Sequence, residues 1–327
     1  MVENQKYIDV KFYKLWKHVR ITRLQKEKIK RSVFPVLAPF IRRLATYQNW
    51  KESRVFIADG RNRTPQNNVS KGLPGIKSIK LAIVVHVFYL DIFESILNKI
   101  LSNKPLNFSL FITCPKDLAG KIDELLKGYD LSAEILTVEN HGRDILPFLK
   151  ILPMVLKRDF NLILKLHTKR SNHLNKKDTW SSDLFNKLIE NSQILNNIEV
   201  FKSDLSLGML GPEGHILPMS LYYGGNAMRV RMLCVKMGLR TEQFKGMNFV
   251  AGSMFYARRE VLKHILKTDL KDHDFEKESN QLDNTMAHAV ERAFAAGIIL
   301  SGLKLGDSNS TNDNINCNVV ANHPFTI

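Results

Sequence analysis

The sequence predicts an α/β protein with a mainly parallel sheet flanked by helices. Short apolar runs end in bursts of polar residues, and amphipathic segments of helical period separate them. The spacings suit crossover connections better than hairpins. From Lys80 to Leu166 the order is strand-helix-strand-helix-strand-helix-strand, which implies parallel pairing with right-handed crossovers.

Residues 1–58 read as a basic helical N-terminal segment with a proline-broken apolar patch, Val33 to Ile41. Residues 59–77, rich in Gly, Pro, Asn and Ser, read as a linker or loop. The main domain, 78–304, opens with Lys80-Leu-Ala-Ile-Val-Val-His86, a run suited to burial on both faces of a sheet. Asp91 and Glu94 have capping-box spacing ahead of an apolar stripe, Ile92 to Leu101. Phe108 to Thr113 forms the next strand, and Pro115 can start a helix that Gly128 stops. A third strand near 134–138 precedes Glu139-Asn-His-Gly-Arg-Asp144. The helix 145–156 is apolar nearly all round, and Pro153 is expected to kink or end it. A fourth strand, Asn161 to Leu166, runs into His167-Thr-Lys-Arg-Ser-Asn-His173. Further on come strands at 205–210 and 249–256 and a last helix near 281–296. Residues 305–327 read as a loosely ordered polar tail.

The composition is that of a soluble globular protein, 44% hydrophobic and 24% charged. No apolar run approaches the ~20 residues that span a bilayer. Cys114, Cys234 and Cys317 form no paired framework, so a reducing, cytoplasmic setting is expected. The net charge is +16, and residues 1–55 hold fourteen Lys/Arg against four Asp/Glu. Aromatic and aliphatic residues (Phe12, Trp16, Val19, Leu24, Phe34, Leu37) interleave with these bases. The segment therefore reads either as a helix lying on an anionic membrane surface or as a solvated basic helix packed on its own domain. A nucleic-acid partner is not expected, because no recognition motif accompanies the charge.

No GxxxxGKS/T, GxGxxG, HExxH or GxSxG signature occurs, which counts against P-loop phosphoryl transfer, dinucleotide-linked hydride transfer and serine hydrolysis. What remains is a constellation at strand ends. His86 closes the first strand, with Phe88 and Tyr89 after it. Gly142, Arg143 and Asp144 follow the third, where a helix begins. Lys165, His167, Lys169 and Arg170 mark the end of the fourth. Open α/β sheets bind ligands at such carboxyl ends, and cations beside a helix N-terminus suit a diphosphate. Each residue also has a bland reading: Asp144 as a helix cap, His86 and His167 as structural histidines.

Four motifs occur in order: Asn140-x-Gly142-Arg143-Asp144-Ile145, Lys165-x-His167-Thr168-Lys169, Ala251-Gly-Ser-Met-Phe-Tyr-Ala-Arg258, and Asp283-x-Thr285-x-Ala287-His288-Ala289-x-Glu291-Arg292. Together they resemble the rhamnan synthesis protein F family of bacterial polysaccharide glycosyltransferases over about residues 78–300. His141 stands where the family usually has Arg, and Asn284 where it usually has Gly. The resemblance implies a GT-A-like nucleotide-sugar-binding fold. It implies transfer of a sugar, with rhamnose from a dTDP donor as the candidate, to a cell-surface polysaccharide or lipopolysaccharide glycan.

In that fold the fourth strand ends in an acidic metal-binding pair, where this chain has His167-Thr168-Lys169. No cofactor is therefore expected. Lys169, with Lys165 or Arg170, is expected to neutralise the leaving diphosphate, and His167 to donate to it. A divalent metal held through Asp144 is the alternative. Inverting transfer needs a base, and Asp283, three residues before Met286 on the expected helix, is the candidate. Tyr222, Asn226 and His288 are candidate acceptor-binding residues. The partners expected are a nucleotide-sugar donor, a glycan or lipid-linked glycan acceptor, and the inner face of the cell membrane. A catalytically silent glycan- or nucleotide-binding module is the alternative function.

Overall fold

The computed structural model describes residues 21–57, 78–168, 179–279, 281 and 283–323. Two N-terminal helices come first, α1 (Arg23–Ile41) and α2 (Ala45–Ser53). Thr22 starts α1 with a capping box: its hydroxyl accepts from the Gln25 amide while the Gln25 side chain reaches back. Then come β1 (Leu81–His86), α3 (Leu90–Leu101), β2 (Phe108–Cys114), α4 (Ala119–Gly128), β3 (Ala133–Thr137), α5 (Ile145–Leu156) and β4 (Leu162–His167). The second half contributes α6 (Thr179–Leu188), α7 (Gln193–Ser203), β5 (Leu207–Gly211), β6 (Ile216–Pro218) and α8 (Met219–Tyr222). It continues with α9 (Ala227–Met237), β7 (Asn248–Val250), β8 (Phe255–Arg258), α10 (Arg259–Leu262), α11 (Met286–Leu300) and β9 (Lys304–Asp307).

Seven strands form one sheet in the order β3-β2-β1-β4-β8-β5-β9, and β6 and β7 pair separately. All neighbours in the large sheet are parallel except β8, which runs antiparallel to β4 and β5. The sheet is thus mixed and mostly parallel, with helices on both faces. Strand alternation divides the core: Ala82 and Val84 face α5, α9 and α11, while Leu81, Ile83 and Val85 face α3, α4, α6 and α7. The chain builds outward from β1 through β2 to β3 and then places β4 on the other side of β1. That reversal puts a topological switch point, where such sheets form a ligand crevice, at the carboxyl ends of β1 and β4.

Several expectations are corrected. The apolar stretch 249–256 is two short strands, broken where Gly252 and Ser253 take φ of 88° and 57°. The last helix starts at Met286, because Asn284 adopts a left-handed φ of 66° and Thr285 supplies the cap. Asp283 therefore precedes the helix instead of sharing its inward face. Asp91 is not a cap, since α3 begins at Leu90 with Tyr89 in the capping position. Pro153 lies inside α5, which continues to Leu156. The boundary drawn at 304/305 falls within β9.

Both ends of the described chain pack on the main domain. Trp50 and Phe56 are buried, and the Asn49 side chain donates to the Gly224 carbonyl and accepts from the Ala227 amide. Tyr223 donates to Glu27, and Arg23 lies 4.6 Å over the Tyr222 ring. Past β9, Asp307 accepts from the amides of Asn309 and Asn318, and the Val320 amide bonds to the Ile216 carbonyl. Tyr222 accepts from the His323 amide, so this part of the polar tail is held in place as far as His323. The expected linker over 59–77 lies outside the described residues.

Candidate active site

The register of β1 against β4 pairs His86 with His167, one at the carboxyl end of each strand. Side chains alternate along a strand, so both histidines share the α5 face with Lys165. Lys165 is 1% exposed and sits 5.3 Å over the Phe148 ring. Its ammonium donates to Asp144 Oδ2 at 2.5 Å and to the Ser253 carbonyl and hydroxyl at 2.8 and 2.9 Å. His167 Nδ1 lies 3.4 Å from the same carboxylate oxygen. Asp144 stands in the capping position just before α5 but makes no capping bond; its carboxylate turns to Lys165 instead.

Electrostatics follow from this packing. Burial alone pushes the Asp144 carboxyl up, but His167 and Lys165 outweigh it and leave the pKa far below the ordinary carboxylate range. Burial drives His86 down to about 4, with Lys165 adding to the effect and Asp144 opposing it. His86 is hydrogen-bonded through Nδ1 to Thr113 at 3.0 Å and is a neutral imidazole near pH 7. Thr168 binds the start of α3, accepting from the Phe88 and Tyr89 amides at 2.8 and 3.0 Å.

The turn before α5 joins this group to a second one. Gly142 and Arg143 take successive φ values of 65° and 58°, so Arg143 and Asp144 leave the turn in different directions. A Cβ at Gly142 would come within 2.5 Å of the Leu146 Cβ and 2.9 Å of the Phe275 ring, so glycine is required there. Arg143 donates to His288 Nε2 at 3.0 Å and to the Gln281 carbonyl. With Nε2 accepting, His288 carries its proton on Nδ1 and donates to Thr285 at 2.7 Å.

The start of α11 is a hub that holds three loops. Asp283 accepts from the Gly225 amide at 2.9 Å and from Asn226 Nδ2 at 2.8 Å, with Arg292 at 3.4 Å. Glu291 accepts from the Gly252 amide at 2.8 Å, next to the residue that holds Lys165. Arg292 donates to the Tyr222 carbonyl and to the His288 carbonyl, both at 2.8 Å. Burial raises the Asp283 pKa, yet Arg292, His288 and the Gly225 amide together leave it below the ordinary value.

The expected site residues thus fall into two linked groups. His86, Tyr89, Asp144, Lys165 and His167 meet at the β1–β4 crevice, and Arg143, His288 and Asp283 meet at the α11 hub. Tyr222 and Asn226 are 3% and 0% exposed and turn inward: Tyr222 donates to the Ala321 carbonyl, Asn226 to Asp283. Lys169 and Arg170 lie outside the described residues. Lys165 is buried and engaged by Asp144 and Ser253. Asp144, named above as the alternative metal ligand, is engaged by Lys165 and fits a cation poorly. Among the described residues no group of three or more His, Cys, Asp or Glu could hold a metal ion.

Thr113, Ser253 and Glu291 were missed as site-building residues. The missed Lys165 partnership had a sequence signal, because a lysine inside the buried strand Leu162–His167 needs a carboxylate within reach. A further, partly buried chain was also missed: Asp183 Oδ2 lies 2.6 Å from His215 Nε2, and His215 Nδ1 lies 3.0 Å from His323 Nε2. Nothing in sequence spacing brings those three together.

The family model described as Rhamnan synthesis protein F matches residues 60–298. "Uncharacterized protein WxcX" of Xanthomonas campestris pv. campestris strain B100 is 33% identical over 228 residues, which cover 69% of this chain and 32% of that protein. WxcX of strain ATCC 33913 matches over the same length at the same identity. The aligned region thus spans about a third of these curated relatives. With the family model covering well over half of the sequence, the chain belongs to the rhamnan synthesis protein F family.

Proposed function

We propose that the protein is a GT-A-like glycosyltransferase that moves a sugar from a nucleotide donor to a growing cell-surface glycan. Family membership carries an involvement in polysaccharide synthesis. The observation that supports the finer reading is the His86–His167 pair at the switch point of the sheet, His86 held by Thr113 and His167 set against the Asp144–Lys165 pair. In this proposal the donor diphosphate lies over the crevice beside Tyr89 and the Gly142–Arg143 turn. His86 faces it as a neutral group, and His167, oriented by Asp144, donates to the leaving oxygen. Lys169 and Arg170, next in sequence, supply the positive charge that Lys165 cannot. Rhamnose from a dTDP donor is the candidate sugar.

As the bond from the anomeric carbon to the diphosphate breaks, the acceptor hydroxyl bonds to that carbon and its proton passes to Asp283. A carboxylate with a lowered pKa is a weak base towards a free hydroxyl. It takes the proton late, once bond formation at an oxocarbenium-like centre has made the hydroxyl acidic. His288, fixed by Arg143 and Thr285, stands beside it on the proposed acceptor side.

A second reading, a glycan- or nucleotide-binding module without turnover, is favoured by one observation: both Asp283 oxygens already accept structural hydrogen bonds. Incubation with a panel of nucleotide sugars and glycan acceptors, with and without EDTA, separates the two by release of nucleotide. The enzyme reading expects release that survives EDTA and drops at least ~100-fold in Asp283→Asn while donor binding persists. Donor binding without release for every sugar in the panel favours the silent module, and loss of release with EDTA refutes the metal-free scheme.

A further inference from the structure

Helix α1 touches the main domain along one side only. Glu27 and Phe34 are buried there, Glu27 against Tyr223 and Lys30, and Phe34 against Trp50 with ring centroids 5.1 Å apart. Ile29, Val33, Val36, Leu37 and Phe40 are all exposed, Val36 at 74% and Phe40 at 85%. At 3.6 residues per turn these five fall within about 100° of arc, centred about 120° round the helix from the buried side. An apolar stripe of this width normally faces a core. Here it faces away from one.

The surrounding charge identifies what covers it. Lys28, Arg31, Arg42 and Arg43 are exposed on and beside the helix. The acid of this stretch, Glu27, is buried and engaged by Lys30. An apolar stripe on a cationic helix with no exposed acid complements the surface of an anionic bilayer, which offers acyl chains below and phosphate above. A protein partner would need an acidic rim around a greasy groove; a lipid headgroup layer has both by construction. No helix among the described residues is long and apolar enough to cross a membrane, so the mode is attachment in the plane of the surface.

We infer that α1 is a membrane-docking helix that inserts Val33, Val36, Leu37 and Phe40 into anionic phospholipid while Arg43, just past the helix end, meets the headgroups and Lys28, Arg31 and Arg42, further round the helix, add to its positive potential. The inference does not depend on the chemistry proposed above. It also relocates the contact within the N-terminal segment, because Phe34, one of the residues interleaved with the bases, packs inward.

The test is flotation of the full chain with phosphatidylcholine vesicles, with and without phosphatidylglycerol. The wild type is expected to float only with the anionic vesicles. Val36→Ser/Phe40→Ser should weaken that partition on the order of 100-fold, from two large apolar side chains no longer buried. Arg42→Ser/Arg43→Ser should weaken it about fivefold per residue at low salt, with little difference left near 1 M salt. All four side chains face solvent, so unchanged circular dichroism and thermal unfolding confirm intact folds. As an independent readout, Phe40→Trp should show a blue shift in emission when anionic vesicles are added. Failure of the wild type to float, or equal flotation of V36S/F40S, overturns the inference. Self-association that V36S/F40S abolishes, without vesicle binding, assigns the stripe to a second copy of the chain and equally overturns it.

Discussion

His86 makes the crevice measurable without a substrate. Its pKa in the folded chain is about 4, against an ordinary 6.5, chiefly because the imidazole is buried beside Thr113 and Lys165. Asp144 opposes the shift without reversing it. The unfolded chain takes up a proton at this residue near pH 6.5, whereas the folded chain resists until about pH 4. Within that window the unfolded state holds more protons, so stability falls as pH falls and is fully present above the unfolded value. A shift of this size corresponds to about 3 kcal/mol. The perturbation is His86→Gln, which keeps a hydrogen-bonding group towards Thr113 and removes the titration. Urea denaturation from about pH 7.5 to about pH 4 should show the wild type losing about 3 kcal/mol more than the variant. The subtraction cancels His215 and His264, whose pKa values burial also lowers. Parallel stability curves, or a His86 ring that titrates near 6.5 by NMR, would refute the buried-neutral assignment and the role given to it at the diphosphate.

Two further perturbations probe the supports of the site. Lys165→Met should destabilise the fold by about 3–5 kcal/mol, because it strands the Asp144 carboxylate. Adding Asp144→Asn should recover part of that loss in denaturation curves, and simple additivity of the two changes would argue against a coupled pair. Gly224 has a φ of 59°, and a Cβ there would collide with the Asp283 carboxylate. Gly224→Ala should therefore cost about 1–3 kcal/mol in thermal unfolding and shift Asp283, whereas an unchanged melting temperature would mean the loop yields freely.

The parallel half of the sheet was legible because its strands are apolar runs, each followed by a helical stripe. The reversed β8 was not, since 249–256 is apolar throughout and only the left-handed pair Gly252–Ser253 divides it. Arg258 closes the third motif for a reason no pattern states: it is buried and donates to the Leu207 and Phe201 carbonyls at 2.7 and 2.6 Å, tying β5 and the end of α7 to β8. At the site, the chemical types were readable and their division of labour was not. Lys165 looked like a charge for the ligand, and its depth in the sheet makes it a brace for Asp144 and Ser253. Asp283 looked helical until Asn284 broke the helix before it. Register supplied the remaining fact, since sequence alone does not say that His86 and His167 stand opposite each other.

The seat of α1 on Tyr223 has a consequence for the order in which the molecule is made. The Glu27–Tyr223 hydrogen bond spans 196 residues. At synthesis rates of about 5–20 residues per second, α1 precedes its docking partner by roughly 10–40 s. Throughout that interval Glu27 lacks the Tyr223 hydroxyl that later holds it, and α1 has only α2 to pack against. A nascent chain at this stage carries a basic helix with an exposed apolar stripe, so whatever meets it first acts well before the crevice exists. If that first encounter is with lipid, the sheet is assembled on a helix already attached, and the orientation of the strand ends relative to the bilayer is fixed during synthesis.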